Sequence, residues 1–140
     1  MKDISLIAFD ADDTLWECQT YFASVEKKYC DLLKHYAPVE EVSQALFATE
    51  TANMELLGYG SKAFILSLLE NATQVSHGKL TSAEVTAIIK MGKSLLQLPG
   101  KPLEGVVTTM EKLRRSGLYR LVVFTKGELL DQESKFNRSG

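Results

Sequence analysis

Ile4-Ser5-Leu6-Ile7-Ala8-Phe9-Asp10-Ala11-Asp12-Asp13-Thr14-Leu15-Trp16 is the stretch on which the reading of this chain turns. Ile4 to Phe9 is a short apolar-rich run that stops at a polar turn, which predicts a buried β-strand. The acidic cluster behind it then lies at the carboxyl end of a strand, where open α/β sheets place their ligand crevice. A second run with the same grammar is Leu121-Val122-Val123-Phe124, which ends at Thr125-Lys126-Gly127. Between these two strands the sequence is mostly helical.

Tyr21 to Tyr36 carries apolar residues at helical spacing, and Pro38 stops it or starts the next helix. Val39 to Leu57 has a weaker helical pattern closed by Gly58 and Gly60. Ser61 can cap a third helix running to about Thr73. Thr81-Ser82-Ala83-Glu84 fits a capping box, and the helix it opens extends to about Leu98. Leu66, Leu68, Leu69 and Leu95 read as core residues of this helical block. Leu-Pro-Gly-Lys-Pro at 98–102 is the clearest linker. Leu103 to Ser116 reads as a helix with Arg114 and Arg115 in its last turn, followed by the second strand and a last helix over Glu128 to Asn137. The expected class is α/β. Residues 1–16 and 99–140 form an α/β layer, and 17–98 form an inserted helical subdomain, because a direct crossover needs only about a dozen residues.

The chain has 140 residues, 16 basic and 18 acidic, a net charge of −2 and 45% hydrophobic residues. That composition fits a globular domain and gives no bias toward nucleic acid or an anionic membrane. No apolar run approaches the ~20 residues of a membrane span, and no signal peptide is evident, so a cytoplasmic protein without a membrane is expected. Cys18 and Cys30 are too few for a disulfide framework.

Two carboxylates separated by one residue can both face a crevice, and holding them together is costly without a cation. Oxygen ligands of this kind suit Mg²⁺. A carboxylate can also attack phosphorus while a neighbouring carboxyl protonates the leaving oxygen. The cluster therefore has the ingredients of metal-assisted phosphoryl transfer. An EF-hand loop counted from Asp10 fails, because Leu15 stands at its glycine position and Tyr21 at its last ligand. A solvated acidic turn, or an Asp capping a helix, is the alternative.

Ile7 to Leu15 resembles the first motif of the haloacid dehalogenase-like hydrolases, a strand followed by D-x-D-x-T. Leu121 to Gly127 resembles their second motif, a strand ending in Thr or Ser. The resemblance implies a partial Rossmann-like parallel sheet core, with the helical block as an α-helical cap. It implies Asp10 as nucleophile and Mg²⁺ ligand. Asp12 would be the general acid/base and offer the metal its main-chain carbonyl. Thr125 and Lys126 would bind the phosphoryl group, and Asp13 and Thr14 would shape the turn. Asp12 favours phosphatases and phosphomutases within the family, so the implied substrate is a small-molecule phosphate ester.

The family pattern also needs a phosphoryl-neutralising Lys or Arg and a further acidic pair, normally on later strands. Only 15 residues follow Thr125, so the sequence is expected to stop where another strand should start. Two strands are fewer than the roughly five of a usual sheet, which leaves edges open to self-association or to a partner chain. A catalytically inactive, family-derived binding module is the rival class. Lys126 and Lys135 are local substitutes for the missing cation, and Glu128 and Asp131 for the missing acids. The plainer reading places these four on the polar surface of the last helix. His35 and His77 have no metal-ligand spacing and read as surface residues. Cys18 lacks an identifiable activating group, while Trp16 and Tyr21 read as packing between core and cap.

Overall fold

Leu6–Phe9 (β1) and Arg120–Val123 (β2) lie side by side in parallel, with Leu6 opposite Arg120 and Phe9 opposite Val123. The Phe124 N–H donates to the Phe9 carbonyl at 2.8 Å, so the loops that begin at Asp10 and Thr125 leave the sheet together. The computed structural model describes residues 4–140, and the first three residues of the predicted 1–16 segment lie outside the described residues. Between the strands come α1 (Gln19–Leu33), α2 (Val39–Leu57), α3 (Ser61–Val75), α4 (Ser82–Leu95) and α5 (Val106–Ser116), and α6 (Leu129–Ser139) follows β2. The fold is α/β, with a small parallel sheet and six helices among the described residues.

Local signals set some helix ends and not others: Ser61, expected to cap the third helix, is instead the first residue of α3, behind Gly60 and with no side-chain cap bond. Thr81 accepts from the Glu84 N–H while the Glu84 carboxylate accepts from the Thr81 N–H, completing the expected capping box of α4. α2 ends at Gly58, whose φ is +67°. The start of α5 differs from expectation by three residues, Val106 instead of Leu103. The Leu103 N–H donates to the Leu15 carbonyl at 2.8 Å, and Pro102 bridges to Trp16. That pairing holds 102–103 extended, and left-handed Gly105 then turns the chain into the helix.

Apolar burial concentrates in two clusters. The larger one joins α1 to α4 around Tyr29, Leu33, Leu46, Leu68, Ile88 and Leu95. Within it the Tyr29 hydroxyl donates to the Leu68 carbonyl at 3.0 Å and lies 2.6 Å from Asn71 Oδ1. Leu66 corrects one expectation, since it faces solvent at 51% exposure. The smaller cluster packs Ala11, Leu15 and Trp16 against Phe9, Val106 and Met110. The strands also depart from the fully buried reading. Ile7 and Phe9 are half-buried, whereas Leu6 and Ala8 are exposed, because one face of the two-stranded sheet is left open. No helix among the described residues is long and apolar enough to cross a membrane.

α6 is turned opposite to the amphipathic rule. Asp131, Gln132 and Lys135 are buried, whereas Leu129, Leu130 and Phe136 are exposed. The linker fixes this helix in place. The Arg138 guanidinium donates to the Leu98 and Leu96 carbonyls at 2.7 and 3.3 Å. Gly100, with φ +61°, lies so close that an added Cβ would sit 2.7 Å from the Lys135 carbonyl oxygen. Gly100→Ala is therefore expected to destabilise the chain by about 1–3 kcal/mol in urea denaturation. A change indistinguishable from zero would contradict this packing of linker on helix.

Candidate active site

The turn after β1 is built by its own acidic residues. Asp13 adopts φ +59°, a conformation that Asp tolerates better than most residues. Its carboxylate accepts from the Cys18 N–H at 2.8 Å and the Gln19 N–H at 2.9 Å, which caps α1 and closes the loop. The Thr14 hydroxyl donates to Asp10 Oδ2 at 3.2 Å. Asp10 itself stays exposed at the carboxyl end of β1. Across the sheet, Thr125 follows the end of β2, and its hydroxyl donates to the Lys126 carbonyl at 3.2 Å.

Asp12 is the most heavily partnered carboxylate here. The Lys135 ammonium reaches both its oxygens, at 2.8 and 2.9 Å. The Trp16 indole N–H donates to Oδ1 at 2.9 Å, and the Gln132 amide donates to Oδ2 at 3.0 Å. Burial is the largest single influence on this carboxyl and pushes it up. The bonds from Lys135, Gln132 and Trp16 together outweigh burial and hold it below its ordinary value of 3.8. Lys135 is almost fully buried, so its charge acts on Asp12 with little screening from water. The second carboxylate beside the Lys135 ammonium is Asp131, at 3.8 Å.

The residues proposed from sequence divide sharply. Lys135 and Asp131 are buried beside Asp12, which overturns their reading as helix surface. Lys126 is exposed and points its ammonium over the Tyr59 ring, 5.2 Å from the centroid. Glu128, also exposed, pairs with Lys62 of α3 at 2.6 Å, and Asp131 Oδ2 accepts from the Ser61 hydroxyl at 3.3 Å. These two acids thus join α6 to the start of α3. Trp16 is buried in the smaller cluster, and Tyr21 packs against the larger one. His35 pairs with Glu84 at 3.0 Å, and His77 is exposed on a turn. Both cysteines are free and buried. Burial first, and then the Asp12 charge, pushes the Cys18 thiol up to about 12, so it is no nucleophile near neutral pH.

Gln132 was not singled out from the sequence. Its amide nitrogen spans Asp12 Oδ2 and the Lys126 carbonyl, both at 3.0 Å, and so ties the two strand-end loops together. A Cβ on Gly127 would lie 2.9 Å from that nitrogen, so the glycine at φ +116° makes room for the bridge. The available signal was the placement of Asp131, Gln132 and Lys135 on one face of a helix.

The donor chemistry fits Mg²⁺ as far as it extends. The Asp12 carboxylate is committed to three nitrogen donors, so its main-chain carbonyl and the exposed Asp10 carboxylate are the oxygens that would hold a metal. Mg²⁺ takes one or two carboxylates and fills its shell with water and phosphate oxygens. No cluster of three or more His, Cys, Asp or Glu suited to a metal occurs among the described residues.

A family model of the haloacid dehalogenase-like hydrolases matches residues 4–140. The chain belongs to this family. A solved haloacid dehalogenase-like family hydrolase from Xanthomonas campestris is similar to it, with 32% identity and a TM-score of 0.90, over 99% of this chain and 57% of that one. A dehalogenase of known structure, 14% identical with a TM-score of 0.55, shares the fold over 99% of this chain and 58% of its own. The chain thus spans under two thirds of the length of both structures. No curated protein matches it.

Two outcomes are expected. Lys135→Met leaves a carboxylate that keeps only 28% of its side-chain exposure without its cation. The loss should be about 2–4 kcal/mol, toward the lower side of the range for broken buried pairs. Because the folded Asp12 value is depressed, the pair's contribution is present above 3.8 and is lost as pH falls through the folded value. Urea denaturation of both forms from acid to neutral pH measures this, and equal stabilities at neutral pH would contradict it. Cys18 should resist iodoacetamide at about pH 8 until the chain is unfolded, and rapid alkylation of the native protein would contradict its burial.

Proposed function

We propose that this chain carries a phosphatase site that acts on a small phosphate ester. The observation that carries the proposal is the exposed Asp10 carboxylate at the end of β1, beside the Thr125 loop, with Asp12 and the Lys135 ammonium behind it. In the first step an Asp10 oxygen bonds to phosphorus and the ester P–O bond breaks, giving an aspartyl phosphate. Asp12 protonates the departing alkoxide, and then takes a proton from the water that hydrolyses the aspartyl phosphate. Lys135 holds Asp12 ionised in the free chain; as the arriving phosphoryl group draws the ammonium onto its own oxygens, Asp12 takes up a proton from solvent, and this is the proton it gives to the alkoxide. Thr125 and nearby main-chain N–H groups hold the phosphoryl oxygens. Mg²⁺, when held by the Asp10 carboxylate and the Asp12 carbonyl, would neutralise phosphoryl charge.

The test is Mg²⁺-dependent release of phosphate from p-nitrophenyl phosphate. Asp10→Asn is expected to lower the rate by about 10³-fold or more, and EDTA should abolish it. No release by the wild-type chain, or full activity in Asp10→Asn, overturns the proposal.

One observation favours a second reading, an interaction module. An open apolar groove of about 1030 Å³ runs between the sheet, α5 and α6, lined by Val106, Met110, Leu129 and Phe136. Self-association at micromolar concentration without phosphate release would support that reading.

A further inference from the structure

A second, smaller cavity of about 250 Å³ lies between α2, α3 and α6, against the Asp12 loop. Its volume is below the ~300–1,000 Å³ of pockets for drug-sized ligands, so it suits a small molecule. Carboxylates outnumber cations in its wall. Asp12, Asp13, Glu50 and Asp131 stand with two cations, Lys126 and Lys135, and Lys135 is already held by Asp12. The helical side brings Glu50, Asn53 and Ser67 together with the Tyr59 and Phe64 rings, and contributes no cation among the described residues. Nearby Lys62 is held by Glu128.

Two buried atoms point to what such a cavity takes. Asp131 and Gln132 line it, are 6% and 8% exposed, and each has one oxygen, Oδ1 and Oε1, without a hydrogen-bond partner. The Gln132 orientation is fixed, because a flipped amide would set its oxygen against Asp12 and the Lys126 carbonyl. Both spare atoms are therefore acceptors, and burying an acceptor unmet is costly. A small shift of either side chain would present them to a donor inside the cavity.

We propose that this cavity receives the alcohol part of the phosphate ester. It selects small alcohols that carry a second hydrogen-bond donor, hydroxyl or ammonium, and no second anion. The inference rests on the phosphatase reading of Asp10 and Asp12. A donor on the alcohol meets the Asp131 and Gln132 oxygens. A second phosphate or carboxylate would meet Glu50 and Asp131 in a wall where carboxylates outnumber cations.

The test is calorimetric binding to the full chain of glycerol 3-phosphate, phosphoethanolamine, propyl phosphate and 3-phosphoglycerate, with phosphate release followed in parallel. The first two are expected to bind at least about tenfold tighter than the last two. Asp131→Asn keeps an acceptor oxygen and loses the charge, so it should weaken phosphoethanolamine more than glycerol 3-phosphate. Its melting temperature reports whether it folds, and the wild-type panel decides the matter without it. Equal affinity for propyl phosphate, tighter binding of 3-phosphoglycerate, or no binding by any ester overturns the inference. The expected binding order without phosphate release upholds the selection and overturns the phosphatase reading. Release at equal efficiency from all four does the reverse.

Discussion

The Lys135 ammonium rests on both oxygens of Asp12, and the rest of the site is arranged around that contact. A lysine this deeply buried needs a carboxylate partner, and a carboxylate in this loop needs donors for its lone pairs. Each supplies what the other lacks. Trp16 and Gln132 fill the remaining directions, so the Asp12 side chain is held from three sides. The contact also sets the protonation state in which the site waits. Asp12 is ionised, and the charge that keeps it so is the cation an incoming phosphoryl group would attract.

This requirement explains the inverted helix. α6 turns Asp131, Gln132 and Lys135 inward because the Asp12 loop and the start of α3 offer them partners. Its apolar side is left facing the open groove with α5. The start of α3 is tied to the same element, through Lys62 with Glu128 and Ser61 with Asp131. A single helix thus joins the Asp12 loop, the Lys126 loop and the wall of the smaller cavity.

Elements with local causes were legible in the sequence. Both strands, the capping box at Thr81 and Glu84, and the placement of Asp10 and Asp12 after the first strand all follow from residue patterns a few positions long. The start of α5 did not, because pairing of Leu103 with Leu15 outweighed the helical periodicity. The partner of Asp12 was least legible. Lys135 lies 123 residues away, and no local pattern states which face of a short polar helix turns inward. The amphipathic rule gave the opposite answer, since it measures burial of apolar groups and not the demand of a carboxylate for a cation. Gln132 was missed for the same reason.

The most direct measurement is a carbon-detected NMR titration of the Asp12 side-chain carboxyl in the intact chain. If Lys135 holds this carboxylate as described, its midpoint lies below 3.8 and rises in Lys135→Met. A midpoint at or above 3.8, or one that Lys135→Met leaves unmoved, would contradict the arrangement on which the site depends.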